Sequence, residues 1–358
     1  MSEEKKKDPG MKWVIVADIM IAIVVTLLVL ASYIEKRAVK EAVNNIKNAP
    51  VSENVPTYMM DKSYNFDLKL AEQNCDNVKG DVDVVLITDG NYMEFTRVAI
   101  LSAKKTRCEG SNYNFYVMTM DLQEGDDEAL KDLEEEGVKV TLLPQKEIDL
   151  FYIRDTHVSK TSLLKYYIAD VLPELDKVLY IDSDVLVLHD LNELFNTDIE
   201  GKYLAVVKDP SWFFENKHVL ELNLEERGFY FNSGVMLMNL KKIRNDGLVK
   251  KLEDYTNNHF RTYMDQDALN VEVGNDVVLL DVKYNTMNFF FEHNSLKTLA
   301  DFYGKNWKNY EEVFAPAVIL HFASSKKPLG TTVSEYEFFY MLQKLWHKFY
   351  RELKPLDA

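Results

Sequence analysis

The sequence predicts an α/β protein built on a mainly parallel central sheet and preceded by one N-terminal transmembrane helix. Three observations point there. From residue 81 onward, short runs rich in Val, Ile and Leu alternate with segments of helical composition, the order expected of strands linked by crossover helices. Carboxylates and amides follow several of those runs directly, and ligands in such sheets sit beyond the carboxyl ends of strands. Ahead of them, Trp13–Tyr33 is almost wholly apolar.

Those 21 residues would make about 30 Å of helix, enough to cross the hydrocarbon core of a bilayer. Trp13 and Tyr33 fall where interfacial aromatic residues belong, and Asp18 lies near the N-terminal end of the span. No small-x-small cleavage motif follows, so the reading is an uncleaved anchor behind a short tail, residues 1–12. Four basic residues precede the span (Lys5, Lys6, Lys7, Lys12) and four follow it (Lys36, Arg37, Lys40, Lys47). Charge therefore leaves orientation open, and the short N-terminus makes N-in, C-out the ordinary expectation.

Residues 34–80 read as a stem that passes Pro50 and Pro56 in polar, weakly periodic sequence. Residues 81–330 form the expected body, and 331–358 a C-terminal helical segment. The body opens with a strand, Asp83–Thr88, ending at Asp89-Gly90-Asn91. A helix over Phe95–Lys105 and a strand over Asn114–Met120 come next. The acidic stretch Asp121–Glu136 reads as a solvated helix. Then follow a strand over Val138–Leu142, a helix over Lys160–Leu172, a strand leading to Asp182 and a buried strand over Val235–Leu240.

A chain of 358 residues holds one large or two ordinary domains with a sizeable core. Its formal net charge is −16; residues 1–47 carry eight Lys/Arg and six Asp/Glu, which leaves −18 for the rest. So acidic a body argues against nucleic acid as a partner. With only Cys75 and Cys108, a disulfide scaffold and a cysteine-rich zinc site are both excluded. One disulfide or two idle thiols remain open.

The run Lys177–Val187 (KVLYIDSDVLV) sets two carboxylates into apolar, β-branched sequence. Ionised carboxylates are rarely buried without partners. Spaced i, i+2, Asp182 and Asp184 point to one side of an extended chain and can grip a divalent cation; the alternative is a cap on a turn between strands. Asp89 and Asn91 can equally form an Asx turn. Asn232 can be a turn residue, Asp265 a helix N-cap, and His321 a buried imidazole after a strand.

Four segments in order resemble glycosyltransferase family 8, of the GT-A fold (a Rossmann-like nucleotide-diphospho-sugar transferase fold). They are Asp83–Tyr92 (DVVLITDGNY), Leu175–Val187 (LDKVLYIDSDVLV), Phe231–Leu240 (FNSGVMLMNL) with Asp265–Asn270 (DQDALN), and Ile319–Phe322 (ILHF) with Lys326-Lys327-Pro328. The resemblance spans roughly Asp81 to Leu329. It implies a UDP-sugar donor and a Mn²⁺ (or Mg²⁺) shared by Asp182, Asp184 and His321. It further implies uracil and ribose contacts from Asp89 and Asn91, and diphosphate contact from Lys327. Ser183 and Asn232 join the donor site, and Asp265 and Gln266 face the sugar as the catalytic pair. Lys165 stands where the family commonly carries Arg; it is a cationic partner for donor or carboxylate, or a solvated helix residue.

The family retains anomeric configuration. Double displacement needs a nucleophile on the far face of the sugar, and the neutral amide of Gln266 is a poor one. The expected route is therefore same-face transfer, in which the leaving phosphate accepts the acceptor's proton while Gln266 and Asp265 stabilise an oxocarbenium-like state. Two positions depart from the family's closing motif. Ser324 replaces a glycine that approaches phosphate, and Leu329 replaces an aromatic residue on the acceptor side.

The expected function is thus a metal-dependent, retaining hexosyltransferase that moves glucose or galactose from a UDP-sugar to a glycan, lipid-linked glycan or protein. The alternative is a catalytically weak GT-A domain serving as a membrane-anchored nucleotide-sugar or glycan-binding scaffold. Nucleotidyl transfer is disfavoured by the lack of a P-loop. A single-pass protein of this plan would be Golgi-type, type II, in a eukaryote and would sit in the cell membrane of a bacterium. No Asn-x-Ser/Thr sequon occurs in the body.

Overall fold

The computed structural model describes residues 68–76, 78–145, 160–211, 216–259, 263–324, 327–329 and 337–353. The predicted anchor and residues 34–67 of the predicted stem lie outside them. Among the described residues no helix is long and apolar enough to cross a membrane. Residues 67–358 group as one unit.

Seven strands form the main sheet: β1 (Gly80–Thr88), β2 (Ser111–Thr119), β3 (Val138–Pro144), β4 (Lys177–Ile181), β6 (Leu204–Lys208), β7 (Phe231–Asn239) and β8 (Val277–Leu279), in the order β3-β2-β1-β4-β7-β6-β8. All neighbours are parallel except β4–β7 and β6–β7, so the expected, mainly parallel sheet is present. In β1, Val84 through Thr88 are all buried, as a strand covered on both faces requires. Alternation sends Val84 and Leu86 into one apolar layer, with Val117 and Leu237, and Val85 and Ile87 into the other, with Leu164 and Met236.

The run Lys177–Val187 is not one strand. β4 stops at Ile181, and β5 (Val185–Val187) joins a second sheet with β10 (Ile319–His321) and β9 (Thr286–Met287), in the order β5-β10-β9. The break falls on Asp182-Ser183-Asp184, where the Asp182 N–H donates to Gly234 O (2.7 Å) and Asp184 O accepts from Phe322 N–H (3.0 Å). The two aspartates therefore sit at the seam between sheets.

Two helical expectations need correction. In the acidic stretch only Asp126–Lys131 is helical; Gly125 and Gly137 hold positive φ angles (90° and 76°), which glycine adopts without steric cost and which bracket the segment in turns. The segment from Lys160 is a 3-10 helix to Tyr167 and α-helical only over Ile168–Val171. Pro173 follows Leu172 and disfavours helix at that point.

Helix α1 (Met93–Thr106) packs beside β5, and the C-terminal helix α2 (Glu337–Tyr350) packs on α1. Phe339, Leu342 and Trp346 share an apolar cluster with Phe95 and Val98, to which Leu68 and Leu70 add their side chains. Cys75 and Cys108 form a disulfide, which resolves the alternative left by the sequence. By the chain-entropy account, closing 33 residues stabilises the fold by about 3–4 kcal/mol. The same stretch is tied by Gln73, whose side chain donates to Thr106 O (2.8 Å) and accepts from Asp190 N–H (2.8 Å).

Candidate active site

Antiparallel pairing assembles the site. Because β7 runs against β4 with Ile181 opposite Val235, the start of β7, Asn232-Ser233-Gly234, lies beside Asp182. Because β10 runs against β5 with His321 opposite Val185, the imidazole arrives next to Asp184. One ligand atom from each of Asp182, Asp184 and His321 lies within 4.8 Å of the others. His321 Nε2 is 3.3 Å from Asp184 Oδ1 and 3.7 Å from Asp182 Oδ2. Asp184 is buried, while the Asp182 side chain keeps 30% of its surface.

Gly234 makes this approach feasible. A Cβ there would stand 2.3 Å from His321 Cε1 and 2.7 Å from Asp182 Oδ2, distances no side chain tolerates. The Lys327 ammonium bonds Asp184 Oδ2 and donates to Phe322 O (2.9 Å). Burial alone would push Asp184 up, but Lys327 and His321 outweigh it and hold the carboxyl well below the usual carboxylate range. Burial likewise works against charge on Lys327, and Asp184 reverses that, so the amine is raised.

Two carboxylates and an imidazole around a cradle that only glycine leaves open suit a hard-to-borderline divalent ion. A cationic ammonium already gathers on one of the carboxylates. The residues present therefore fit Mn²⁺ or Mg²⁺.

On the other side of Asp182 lies Lys165, 3% exposed. Its Nζ donates to Asp265 Oδ2 (2.6 Å) and Ser233 Oγ (3.4 Å), stands 3.7 Å from Asp182 Oδ1, and lies 4.9 Å from the centroid of the Tyr180 ring. Burial alone would lower its pKa, but Asp182 and Asp265 more than compensate and raise it. Lys165 is thus a carboxylate partner, not a solvated residue. Asp265, in the first turn of helix Met264–Val273, does not cap it; Asp267 Oδ2 instead accepts from Tyr263 N–H (3.0 Å).

Gln266 Oε1 accepts from Ser233 N–H (3.0 Å) and from Asn232 Nδ2 (3.1 Å). Asn270, one turn on, holds both Phe231 N–H (3.0 Å) and Phe231 O (2.9 Å) through its amide, pinning the helix to the start of β7. Asp89 forms the Asx turn, accepting from Asn91 N–H (3.0 Å) at the end of β1. Burial raises the phenol of Tyr92 just beyond, with the charge of Lys327 working against it. The Ser183 hydroxyl is committed inward, to Ile87 O (2.8 Å) and Thr96 Oγ1 (2.7 Å).

Two residues were missed. Asp209, buried at the end of β6, accepts at Oδ2 from Asn232 (3.1 Å) and Gln266 (3.3 Å). Its signal was available: it follows the apolar run Leu204–Val207 as Asp182 follows β4. Asn285, fully buried, lies between Asn232 and His321; no local pattern marks it.

The sequence model of glycosyl transferase family 8 matches residues 83–329. General stress protein A of Bacillus subtilis (strain 168) is 28% identical over 206 residues, covering 54% of this chain and 69% of that protein. Lipopolysaccharide 1,2-glucosyltransferase of Escherichia coli (strain K12) is 27% identical over 282 residues, covering 77% and 80%; a further relative is spanned over only 30% of its length. Among solved structures, galactosyltransferase LgtC in complex with donor and acceptor sugar analogues superposes with a TM-score of 0.62 at 20% identity, covering 77% of this chain and 98% of that one. That likeness is one of fold, and it is the GT-A-like fold the sequence predicts. With the match running from β1 through Lys327, the chain belongs to glycosyltransferase family 8 and is a glycosyltransferase.

Proposed function

We propose that the protein is a metal-dependent, retaining glycosyltransferase that moves a hexose, glucose or galactose, from a UDP-sugar to a glycan, lipid-linked glycan or protein acceptor. The observation that carries this is the convergence of Asp182, Asp184 and His321 beside the Lys165–Asp265 pair and Gln266. The names of the E. coli glucosyltransferase and of the LgtC galactosyltransferase agree with the donor class. Asp182, Asp184 and His321 would hold Mn²⁺ or Mg²⁺, which when bound neutralises charge on a departing diphosphate. Lys327 adds a positive charge on the same side. Asp89 and Asn91 would meet the nucleoside, and Asn232, Asp265 and Gln266 the sugar.

Gln266 is held by two donors at Oε1, so its amide is oriented in advance. A neutral amide favours electrostatic support of an oxocarbenium-like sugar over covalent capture. The acceptor's proton passes to the leaving phosphate on the same face.

The test is UDP release by the full chain from a panel of UDP-sugars, with and without Mn²⁺, beside D184N. Mn²⁺-dependent release from one sugar, lost in the variant, supports the reading and names the donor. UDP binding without turnover of any sugar would replace it with the scaffold role. The Cys75–Cys108 disulfide favours a body facing an oxidising compartment, the Golgi lumen in a eukaryote, behind an N-terminal anchor; in a bacterium the protein would sit in the cell membrane with its body where the cytosolic donor reaches it. Alkylation of native, unreduced protein should then modify neither cysteine; two adducts by mass would count against that placement.

A further inference from the structure

His321 reaches the two carboxylates through Nε2, and a ring nitrogen binds a metal only through a free lone pair. Which nitrogen carries the proton is fixed here by a relay of amide groups that begins at the backbone of β7. Asn232 Oδ1 accepts from the backbone N–H of Gly234 (2.9 Å); a backbone N–H only donates, so the group facing it is the carbonyl oxygen. The same orientation is imposed from the other end. Asn232 Nδ2 faces Asp209 Oδ2 and Gln266 Oε1 (both 3.1 Å), and Gln266 Oε1 is itself marked as an acceptor by Ser233 N–H (3.0 Å).

With Asn232 Oδ1 an acceptor, the Asn285 group that meets it must be the NH₂, at 2.9 Å. The Asn285 oxygen is thereby turned to His321 Nδ1, also at 2.9 Å, and Nδ1 must carry the hydrogen. Nε2 is then the ring nitrogen that faces Asp182 and Asp184, and the one whose lone pair a metal can take once the ring is neutral. Asn285 is fully buried, so no water competes for these bonds.

We propose that Asn285 is a positioning residue that locks His321 in the Nδ1–H tautomer, with its own amide orientation dictated through Asn232 by the start of β7. The inference deepens the proposed metal site and rests on that reading for its consequence, though not for the tautomer. Partners of this kind, behind a ligating histidine, typically change metal affinity 10- to 100-fold.

The test uses the full chain, ¹⁵N-labelled at histidine and metal-free, with His321 signals assigned by their loss in H321Q. Followed to a pH at which the ring has lost its second proton, the expected wild-type pattern is Nδ1–H with an unprotonated Nε2. In N285A the ring should move to Nε2–H or to a mixture, and Mn²⁺ affinity, measured by calorimetry well below the variant's own thermal midpoint, should fall about 10- to 100-fold. In N285D, whose carboxylate still accepts from Nδ1–H, the wild-type tautomer should persist. An Nε2–H tautomer in the wild type overturns the inference whatever the metal does, and so does an N285A protein with wild-type tautomer and affinity. A wild-type Nδ1–H ring in a protein that binds no Mn²⁺ would sink the metal reading and leave the tautomer assignment standing.

Discussion

The two ends of the site solve the same problem in opposite ways. At the end proposed to meet the sugar, Lys165 and Asp265 cancel each other at 2.6 Å in a nearly dry setting, with Ser233 Oγ donating to the same carboxylate oxygen (3.0 Å). At the end proposed to meet the diphosphate, Asp182, Asp184 and His321 gather with one ammonium, Lys327, on Asp184. The first end is complete as built. The second holds two carboxylates close together, an arrangement that repels itself unless a cation joins. On the proposed reading, preassembly falls where the substrate is neutral, and the cation-dependent cluster where it is an anion.

The sharpest way to break this contrast is D184N, which removes one ligand and the partner of Lys327. Mn²⁺-dependent UDP release should fall about 10³-fold, on the scale of losing a principal transition-state charge contact. K165M attacks the other end and should act mainly on the fold. Stranding Asp265 in a buried site should cost about 3–5 kcal/mol, read by urea denaturation; a loss confined to kcat with unchanged stability would mean the sugar end is not preassembled. G234A tests the seam between the two. A Cβ there must displace His321 or Asp182, and a shift of about 1 Å should lower kcat/KM about 100-fold with Mn²⁺ binding weakened alongside. The smallest effect is expected for Q266A, about 10-fold in kcat, since an oriented amide that only stabilises charge is not indispensable. Complete loss of transfer in a folded Q266A protein would instead favour a covalent role.

What the sequence revealed tracks how local each signal is. Asp182 and Asp184 stand out because charge interrupts an apolar run. That the run is also where one sheet ends and another begins was hidden, because the groups that hold the break, Gly234 O, Phe322 N–H, Ile87 O and Thr96 Oγ1, lie from 52 to 138 residues away along the chain. Lys165 resisted reading for another reason. Its segment is a 3-10 helix, so the 3.6-residue period used to sort buried from solvated positions does not apply. Asn285 gives no signal at all, since its role exists only once three strands meet. The parallel sheet, by contrast, was legible because strands buried on both faces must be apolar throughout.

The disulfide has a mechanical consequence. Cys75 precedes β1 and Cys108 follows α1, so both elements lie inside a covalently closed loop. Tension applied to the chain ahead of Cys75 passes across the sulfur bridge to the far end of α1 as well as into β1. The interior strand β1, which ends in the Asp89 turn, therefore cannot be unzipped from its N-terminal end while the bridge is intact. A pull on the chain ahead of Cys75 therefore loads α1 and β1 together, and reduction of one bond would turn that shear into a peel.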